Sequence, residues 1–283
     1  MTKTLYTFGN SVWSAVAELA AAELGYKDGE ITIRIINVVE GENFAPAFLK
    51  LNSNGTIPTL ESDGKVYTST AEVVACLVKD APVKVKTGTA IIETIHEDKY
   101  DPNFALFLAR NNAELSAKGT ALRGTFAALP ATFLSNRQSA LEKYAHSPDS
   151  DAAPYRTFYE GKLAENTGML ALFAGKAPAD QEADYFAKSQ AHFEAVKTAV
   201  FEVFPAFLPA SGFIGGATPG EDDFHVGAWF TRIAAIFGAT TAADGLAAFE
   251  AAYGVPVPAK VAAYWGAWAA RPSWTKVYAA RLH

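Results

Sequence analysis

Cysteine is almost absent from this chain of 283 residues, since Cys76 is the only one. A single cysteine excludes an internal disulfide and any metal cluster that is built from several thiolates. The spacing of His, Asp and Glu does not resemble a metal site either, so no metal is predicted. Cys76 lies within the apolar pattern of a predicted helix, where we expect a buried side chain.

Long apolar runs and blocks of basic charge are also missing. Every apolar run is interrupted well before the roughly 20 residues that a membrane-spanning helix needs, so no membrane segment is predicted. Acidic residues outnumber basic ones by 30 to 24, and the net charge of −6 disfavours binding to nucleic acid. Residues 1–6 enter a strand-like segment without the apolar core of a signal peptide, so we expect a cytoplasmic protein.

The first eighty residues show a β-α-β pattern that is followed by a hairpin and a helix. The predicted elements are a short aromatic strand at residues 5–8, a helix at 12–24, a β-branched strand at 31–39, a hairpin at 59–68 and a helix at 70–79. The β-branched composition of the second strand favours burial on at least one face. This order of elements predicts a thioredoxin-like α/β domain over residues 1–80.

After residue 80 the chain loses its strand patterns. We predict a linker with an added short helix at residues 81–100, and an all-α domain at residues 101–283. Asp101-Pro102 is a suitable start for a long first helix, which Pro130 is expected to kink or interrupt before Tyr144. Further helices are expected near residues 155–173, 182–204, 221–237, 242–253 and 258–270. The predicted fold is therefore a small thioredoxin-like domain followed by a larger all-helical domain.

Ser11 lies at the junction of the first strand and the first helix. A hydroxyl at this place can donate a hydrogen bond to a thiolate that a ligand brings, and the helix N-terminus adds positive potential. The alternative is that Ser11 only caps the helix. Asn10 and Ser14 are close enough in sequence to compete with Ser11 for the thiolate.

Two further segments have polar groups suited to a peptide ligand. If the Ile57–Pro58 bond is cis, the backbone N–H and C=O of Ile57 are free to pair with an extended ligand, whereas a trans proline would form an ordinary turn. Ser69-Thr70 precedes the next helix, where hydroxyl and N–H groups suit a carboxylate, although simple capping is the alternative.

Residues 4–78 resemble the N-terminal domain of glutathione transferases. The resemblance is carried by Ser11, by the segment at residues 51–60 and by Thr68-Ser69-Thr70, and it continues into the second half at residues 220–225 and 270–274. The chain resembles fungal cytosolic members more than the familiar animal classes. The resemblance implies a serine-type active site in which Ser11 stabilises the thiolate, and it implies glutathione contacts from Trp13, Ile57, Pro58, Ser69 and Thr70. Ser69 replaces the acidic residue that the family usually has.

The same resemblance implies a second-substrate pocket on the first long helix of the α domain. Its residues would be Phe104, Phe107, Leu108, Asn111 and Asn112, with core packing as the alternative for the aromatic side chains. Asp223 would be a buried structural cap, and the protein would be a homodimer.

The function expected from these observations is a reaction of glutathione with an apolar electrophile. The glutathione thiolate would be transferred to the electrophile, or glutathione would reduce it. Glutathione would be the co-substrate, and the partner a small electrophile or an aromatic ligand. The alternative is a non-catalytic ligandin or regulatory binding protein on the same scaffold. Thiol transfer by a catalytic cysteine is disfavoured, because Ser11 and Ser14 occupy both positions of the redox motif.

Overall fold

The N-terminal unit contains a four-stranded sheet with the strand order β2-β1-β3-β4, in a computed structural model that describes residues 3–120 and 129–283. The strands are β1 (Lys3–Thr7), β2 (Ile31–Ile35), β3 (Thr59–Ser62) and β4 (Lys65–Tyr67). β1 runs parallel to β2 and antiparallel to β3, and β4 is antiparallel to β3. This arrangement confirms the predicted thioredoxin-like domain.

Three helices complete this unit: α1 (Val12–Glu23), α2 (Pro46–Leu51) and α3 (Thr70–Asp80). Leu19 of α1, Leu77 of α3 and Leu5 and Leu60 of the sheet are fully buried in one hydrophobic cluster. Because β1 leads directly into α1, the N-terminus of α1 lies at the carboxyl end of β1, at the edge of the sheet where loops gather.

The second strand is shorter and more exposed than predicted. The β-branched segment 31–39 predicts a strand with a buried face, but β2 ends at Ile35, and the Ile33 and Ile35 side chains are 49% and 60% exposed. β2 pairs only with β1 and forms one edge of the sheet. Composition therefore indicated a strand, whereas its place in the sheet determined how much of it is buried.

The C-terminal unit is helical throughout the described residues, as predicted. Its helices are α4 (Ala90–Ile95), α5 (Pro102–Phe107), α6 (Asn112–Thr120), α7 (Leu129–Ala145), α8 (Arg156–Phe173), α9 (Ala179–Thr198), α10 (Phe204–Phe207), α11 (Glu221–Ile236), α12 (Gly245–Tyr253), α13 (Ala259–Ala269) and α14 (Pro272–Val277). None of the described helices is both long and apolar enough to cross a bilayer. α11 is buried on all sides from Glu221 to Ala235, and its Trp229 belongs to the same cluster as Leu5 and Leu19. One core thus joins the two units and fixes their relative position.

The long first helix of the α domain is not continuous, which corrects the prediction. α5 ends at Phe107, Leu108 is extended, and the Lys118 ammonium donates hydrogen bonds to the carbonyl groups of Ala105, Leu106 and Leu108. These bonds satisfy carbonyl groups that a helix end leaves without partners. Pro130 is the second residue of α7 as described, and the predicted interruption there depends on residues outside the described part of the chain. Residues 121–128, across which a continuous helix would run, lie outside the described part of the chain.

Candidate functional site

A cavity of about 870 Å³ lies between the two units, and its size is within the range of small-molecule sites. The sheet unit contributes the loops after β1, before β3 and after β4, while the helical unit contributes an apolar wall. The predicted site residues that line it are Asn10, Ser11, Trp13, Ile57, Pro58, Ser69, Thr70, Phe104, Phe107 and Leu108. Segments that are far apart in sequence therefore meet around one space.

Ser11 is the N-cap of α1, and its Oγ accepts a hydrogen bond from the Ser14 N–H at 3.3 Å. A hydroxyl can donate as well as accept, and the Ser11 O–H donates to none of the described groups. The first turn of α1 contains no acidic residue, so no side chain of the helix neutralises its positive end. Ser11 can therefore cap α1 and still donate to an anion in the cavity.

The two competitors of Ser11 have different positions. Asn10 lines the cavity, whereas Ser14 does not: its side chain is fully buried and its Oγ accepts a hydrogen bond from the Phe8 N–H at 3.2 Å. Ser14 thus holds the turn between β1 and α1 together.

Arg232 of α11 brings a buried positive charge to the same turn. Its Nη2 donates to the backbone oxygen of Asn10 at 2.7 Å, the residue lines the cavity, and only 2% of it is exposed. Burial lowers the pKa of Arg232 to about 10, so the guanidinium stays protonated at neutral pH. The sequence analysis missed this residue, although an isolated arginine in the otherwise uncharged segment 224–236 was a usable signal.

His96 is a second residue of the cavity that the sequence analysis missed. Its Nε2 lies 3.0 Å from Nδ1 of the fully buried His225, and its ring centroid lies 4.2 Å from that of Trp13. Burial lowers the pKa of His96 to about 4, and burial lowers that of His225 well below its usual value. Both rings are therefore neutral at neutral pH, and the pair positions Trp13 rather than accepting a proton.

The Ile57–Pro58 peptide bond is cis, which resolves the isomer that the sequence left open. Nδ2 of Asn52 bonds to the Thr56 carbonyl oxygen at 3.0 Å and to Thr59 Oγ1 at 2.9 Å, which holds the loop ahead of β3. The N–H and C=O of Ile57 bond to none of the described groups and face the space that this loop lines. An extended ligand can pair with them as a short added strand.

The polar groups of Ser69 are already used at the start of α3. Ser69 Oγ accepts from the Glu72 N–H at 3.2 Å, and Glu72 Oε2 accepts from the Ser69 N–H at 3.2 Å and its O–H at 2.9 Å. These bonds lower the pKa of Glu72, so its carboxylate is ionised at neutral pH. Thr70, in contrast, lines the cavity, and its hydroxyl and N–H have no partner among the described residues. Thr70 is therefore the residue at this helix start that is available to a ligand carboxylate.

The helical wall contains three of the five residues predicted for it. Phe104, Phe107 and Leu108 line the cavity, and Phe107 packs against Phe133 of α7 with ring centroids 5.5 Å apart. Asn111 and Asn112 do not line it, because α5 ends before them: Asn111 accepts a hydrogen bond from the Glu114 N–H at 3.0 Å at the start of α6, and Asn112 is exposed.

Asp223 lies outside the cavity and is fully buried at the start of α11. Its carboxylate accepts hydrogen bonds from the N–H groups of Ile214 at 2.8 Å, Gly215 at 2.7 Å and Gly220 at 2.8 Å. These bonds join the preceding loop to α11, so the geometry is that of a structural cap.

Comparison with known proteins points to one family for the first unit. Residues 5–85 match the family described as "Glutathione S-transferase, N-terminal domain". Glutathione S-transferase D7 of Drosophila melanogaster is 32% identical over 75 residues, and these cover 26% of this chain and 32% of that protein. The match thus spans about a third of the length of this relative.

Solved structures resemble the chain over nearly its whole length. Glutathione S-transferase III in its apo form has a TM-score of 0.51 at 16% identity, with 99% of this chain and 97% of that chain covered. Beta-etherase LigF from Sphingobium sp. strain SYK-6 has a TM-score of 0.50 at 16% identity, with 99% of each chain covered. These likenesses confirm the two-part fold, and the family match supports a relationship of the N-terminal unit to glutathione transferases.

Proposed function

We propose that this protein is a glutathione transferase with a serine-type active site, in which Ser11 stabilises the glutathione thiolate. One observation carries the proposal: the Ser11 hydroxyl at the uncompensated start of α1 shares a cavity with the unpaired backbone groups of Ile57 and with Thr70. A γ-glutamyl tripeptide has a thiol in its middle, a backbone on either side and a carboxylate at the end, which matches these three groups in kind and order.

The chemistry follows from the charges around Ser11. The Ser11 O–H donates to the sulfur, and both the N-terminus of α1 and the Arg232 guanidinium favour the thiolate over the thiol. Each unit by which they lower the thiol pKa is worth about 1.4 kcal/mol in favour of the anion. The thiol proton goes to solvent, since His96 is neutral and too weak a base to hold it. The sulfur electron pair then forms a C–S bond with an electrophile that lies against Phe104 and Phe107. In a substitution the bond to a leaving group such as a halide breaks, and its electrons leave with that anion into solvent. In an addition the π electrons of the attacked double bond move to its far atom, which takes a proton from solvent.

Thr70 would bind the γ-glutamyl carboxylate through its N–H and hydroxyl. The positive α-amino group beside that carboxylate lacks an acidic residue at Ser69, but the ionised Glu72 carboxylate is bonded to Ser69 itself. We propose that Glu72 supplies the missing negative charge. A fungal-like subclass, a homodimer and a cytoplasmic location are part of the same proposal and rest on the resemblance.

The test is calorimetric titration with glutathione in buffers of different ionisation enthalpy, which measures the protons released on binding. We expect the wild type to release a proton and the Ser11→Ala variant to bind without doing so, with turnover reduced by about 100-fold or more. Asn111→Ala is the matched control, because it removes an N-terminal cap of comparable size at α6, away from the cavity. It should lose similar stability and keep proton release.

Three results would change the proposal. Unchanged proton release in Ser11→Ala would move the thiolate contact to Asn10. Binding without turnover across a panel of electrophiles would support the non-catalytic alternative. Absence of binding at millimolar glutathione would overturn the glutathione site altogether.

A further inference from the structure

Arg137 of α7 reaches the cavity from the helical wall, and its guanidinium lies between two aromatic rings. The Cζ atom is 4.5 Å from the centroid of Phe44 and 5.5 Å from that of Phe133. The side chain is partly buried, and this burial lowers the pKa of Arg137 to about 10, so the group is a cation at neutral pH. These cation–π contacts hold the guanidinium in place without using its N–H donors, which are left for another partner.

No described residue takes up those donors. A guanidinium has five N–H groups, and Arg137 donates a hydrogen bond to none of the described oxygen atoms. The carboxylate whose charge acts on it is Glu165, which also lines the cavity but is exposed and pairs with Lys162 at 2.9 Å rather than with Arg137. Arg137 is thus a partly buried cation that forms an ion pair with no described carboxylate, so the site is suited to an anion that enters with a ligand.

The sheet topology separates Arg137 from the start of α3. Phe44, on which Arg137 stacks, belongs to the segment that follows β2 at one edge of the sheet, while Ser69-Thr70 follow β4 at the other edge. Asn43 anchors the first segment, because its Nδ2 donates to the Gly55 carbonyl oxygen at 2.7 Å. Four strands span about 14 Å from one edge of the sheet to the other. Ile57 lies between the segment of Phe44 and the start of α3. Arg137 therefore faces the part of the cavity that is remote from Thr70.

We propose that Arg137 is an anion-binding residue that receives a carboxylate at the end of the cavity remote from Thr70. This inference rests on the proposed function of the cavity. Two molecules can bring such a carboxylate: glutathione, through its glycyl end, or an aromatic acid that stacks its ring on Phe133 and Phe107. The planar edge of the guanidinium matches the two oxygens of a carboxylate in either case.

Paired ligands distinguish these two sources. The first pair is glutathione and its glycyl ethyl ester, and the second is a chloronitrobenzoate and its methyl ester. Dissociation constants are measured by calorimetry for the wild type, for Arg137→Met, which removes the charge, and for Arg137→Lys, which keeps the charge but loses the planar fork. Lys143→Met is the matched control, since it removes an exposed cation from the same helix.

We expect Arg137→Met to weaken the binding of one of the two acids, glutathione or the chloronitrobenzoate, by about 10- to 100-fold. The affinity of the corresponding ester should change little. Arg137→Lys should recover part of the loss, and Lys143→Met should behave as the wild type. The pair that loses its preference for the acid identifies the source of the carboxylate.

The proposal is overturned if Arg137→Met binds both acids as tightly as the wild type. Failure of the proposed function is a separate result. If the wild type does not bind glutathione, the chloronitrobenzoate and its methyl ester, measured without glutathione, still test the role of Arg137. Folding is monitored by denaturant titration, and Arg137→Gln provides a polar, uncharged replacement should Arg137→Met unfold.

Discussion

At the scale of single residues, the candidate site combines groups that already have structural partners with groups that do not. Ser11 and Ser69 both cap helices, but only Ser11 keeps its O–H for a ligand, because Glu72 accepts the O–H of Ser69. The same residue type in the same local pattern thus has two different chemical capacities. Sequence alone presents both as hydroxyl groups ahead of a helix.

Arg232 gives a prediction at this scale. Replacing it with Met removes a buried charge next to Asn10, so we expect the pKa of the bound glutathione thiol to rise by about one unit or more. The ultraviolet absorbance of the thiolate, followed against pH, measures this pKa directly. Arg232→Lys keeps the charge and should stay closer to the wild type. A purely structural role for Arg232 would change stability and leave the thiol pKa as it was.

At the scale of elements, the ends of helices explain both the successes and the errors of prediction. Starts with a local signal, such as Asp101-Pro102 before α5, were predicted at their observed positions. The end of α5 was not, because its carbonyl groups are bound by Lys118 from the next helix. Because of that error, Asn111 and Asn112 were predicted to line the pocket, whereas the structure places these two residues outside the cavity.

The start of α11 gives a prediction for an element. Asp223→Ala removes the acceptor of three N–H groups, of which that of Gly220 is buried and those of Ile214 and Gly215 are partly buried, so we expect the free energy of unfolding to fall by more than about 2 kcal/mol. Asp244→Ala is the comparison, since Asp244 also caps the start of a helix through Thr240 and Thr241 but is exposed. Denaturant titration of both variants measures the difference. Equal losses would show that burial adds nothing to the Asp223 cap.

At the scale of the whole molecule, the two units share one core, and α11 lies at its centre. The guanidinium of Arg271, just ahead of α14, bonds to the Glu23 carboxylate at the end of α1, and the His96–His225 pair connects α11 to the segment after α4. The cavity therefore has walls from two units that cannot separate without exposing this core. We expect folding to be cooperative across the whole chain.

The histidine pair gives a prediction about pH. As the pH falls through 6.5, the unfolded chain takes up protons that the folded His96 and His225 resist. These residues therefore make stability fall as the pH drops from about 7.5 towards 4, most steeply below 6.5. His225→Gln removes one such group, so its free energy of unfolding should decrease less than that of the wild type between about pH 7.5 and pH 5. Buried carboxyl groups with raised pKa values act in the opposite direction but are common to both proteins.

Denaturant titrations at several pH values measure these slopes. His146→Gln is the control, because it makes the same substitution at an exposed histidine that is not part of the buried pair. If His225→Gln has the wild-type slope, the buried pair does not contribute to the pH dependence.

The sequence by itself determined the order of elements, the two-part fold and the loops that face the cavity, because strand composition, helix caps and a proline ahead of β3 are local signals. It did not determine which hydroxyl is free, where α5 ends, or that Arg232, Arg137 and His96 reach the same space as Ser11. Those features depend on contacts between residues as far apart as Asn10 and Arg232. Only the packing of α11 and α7 against the sheet unit brings such residues together, and local patterns carry no record of it.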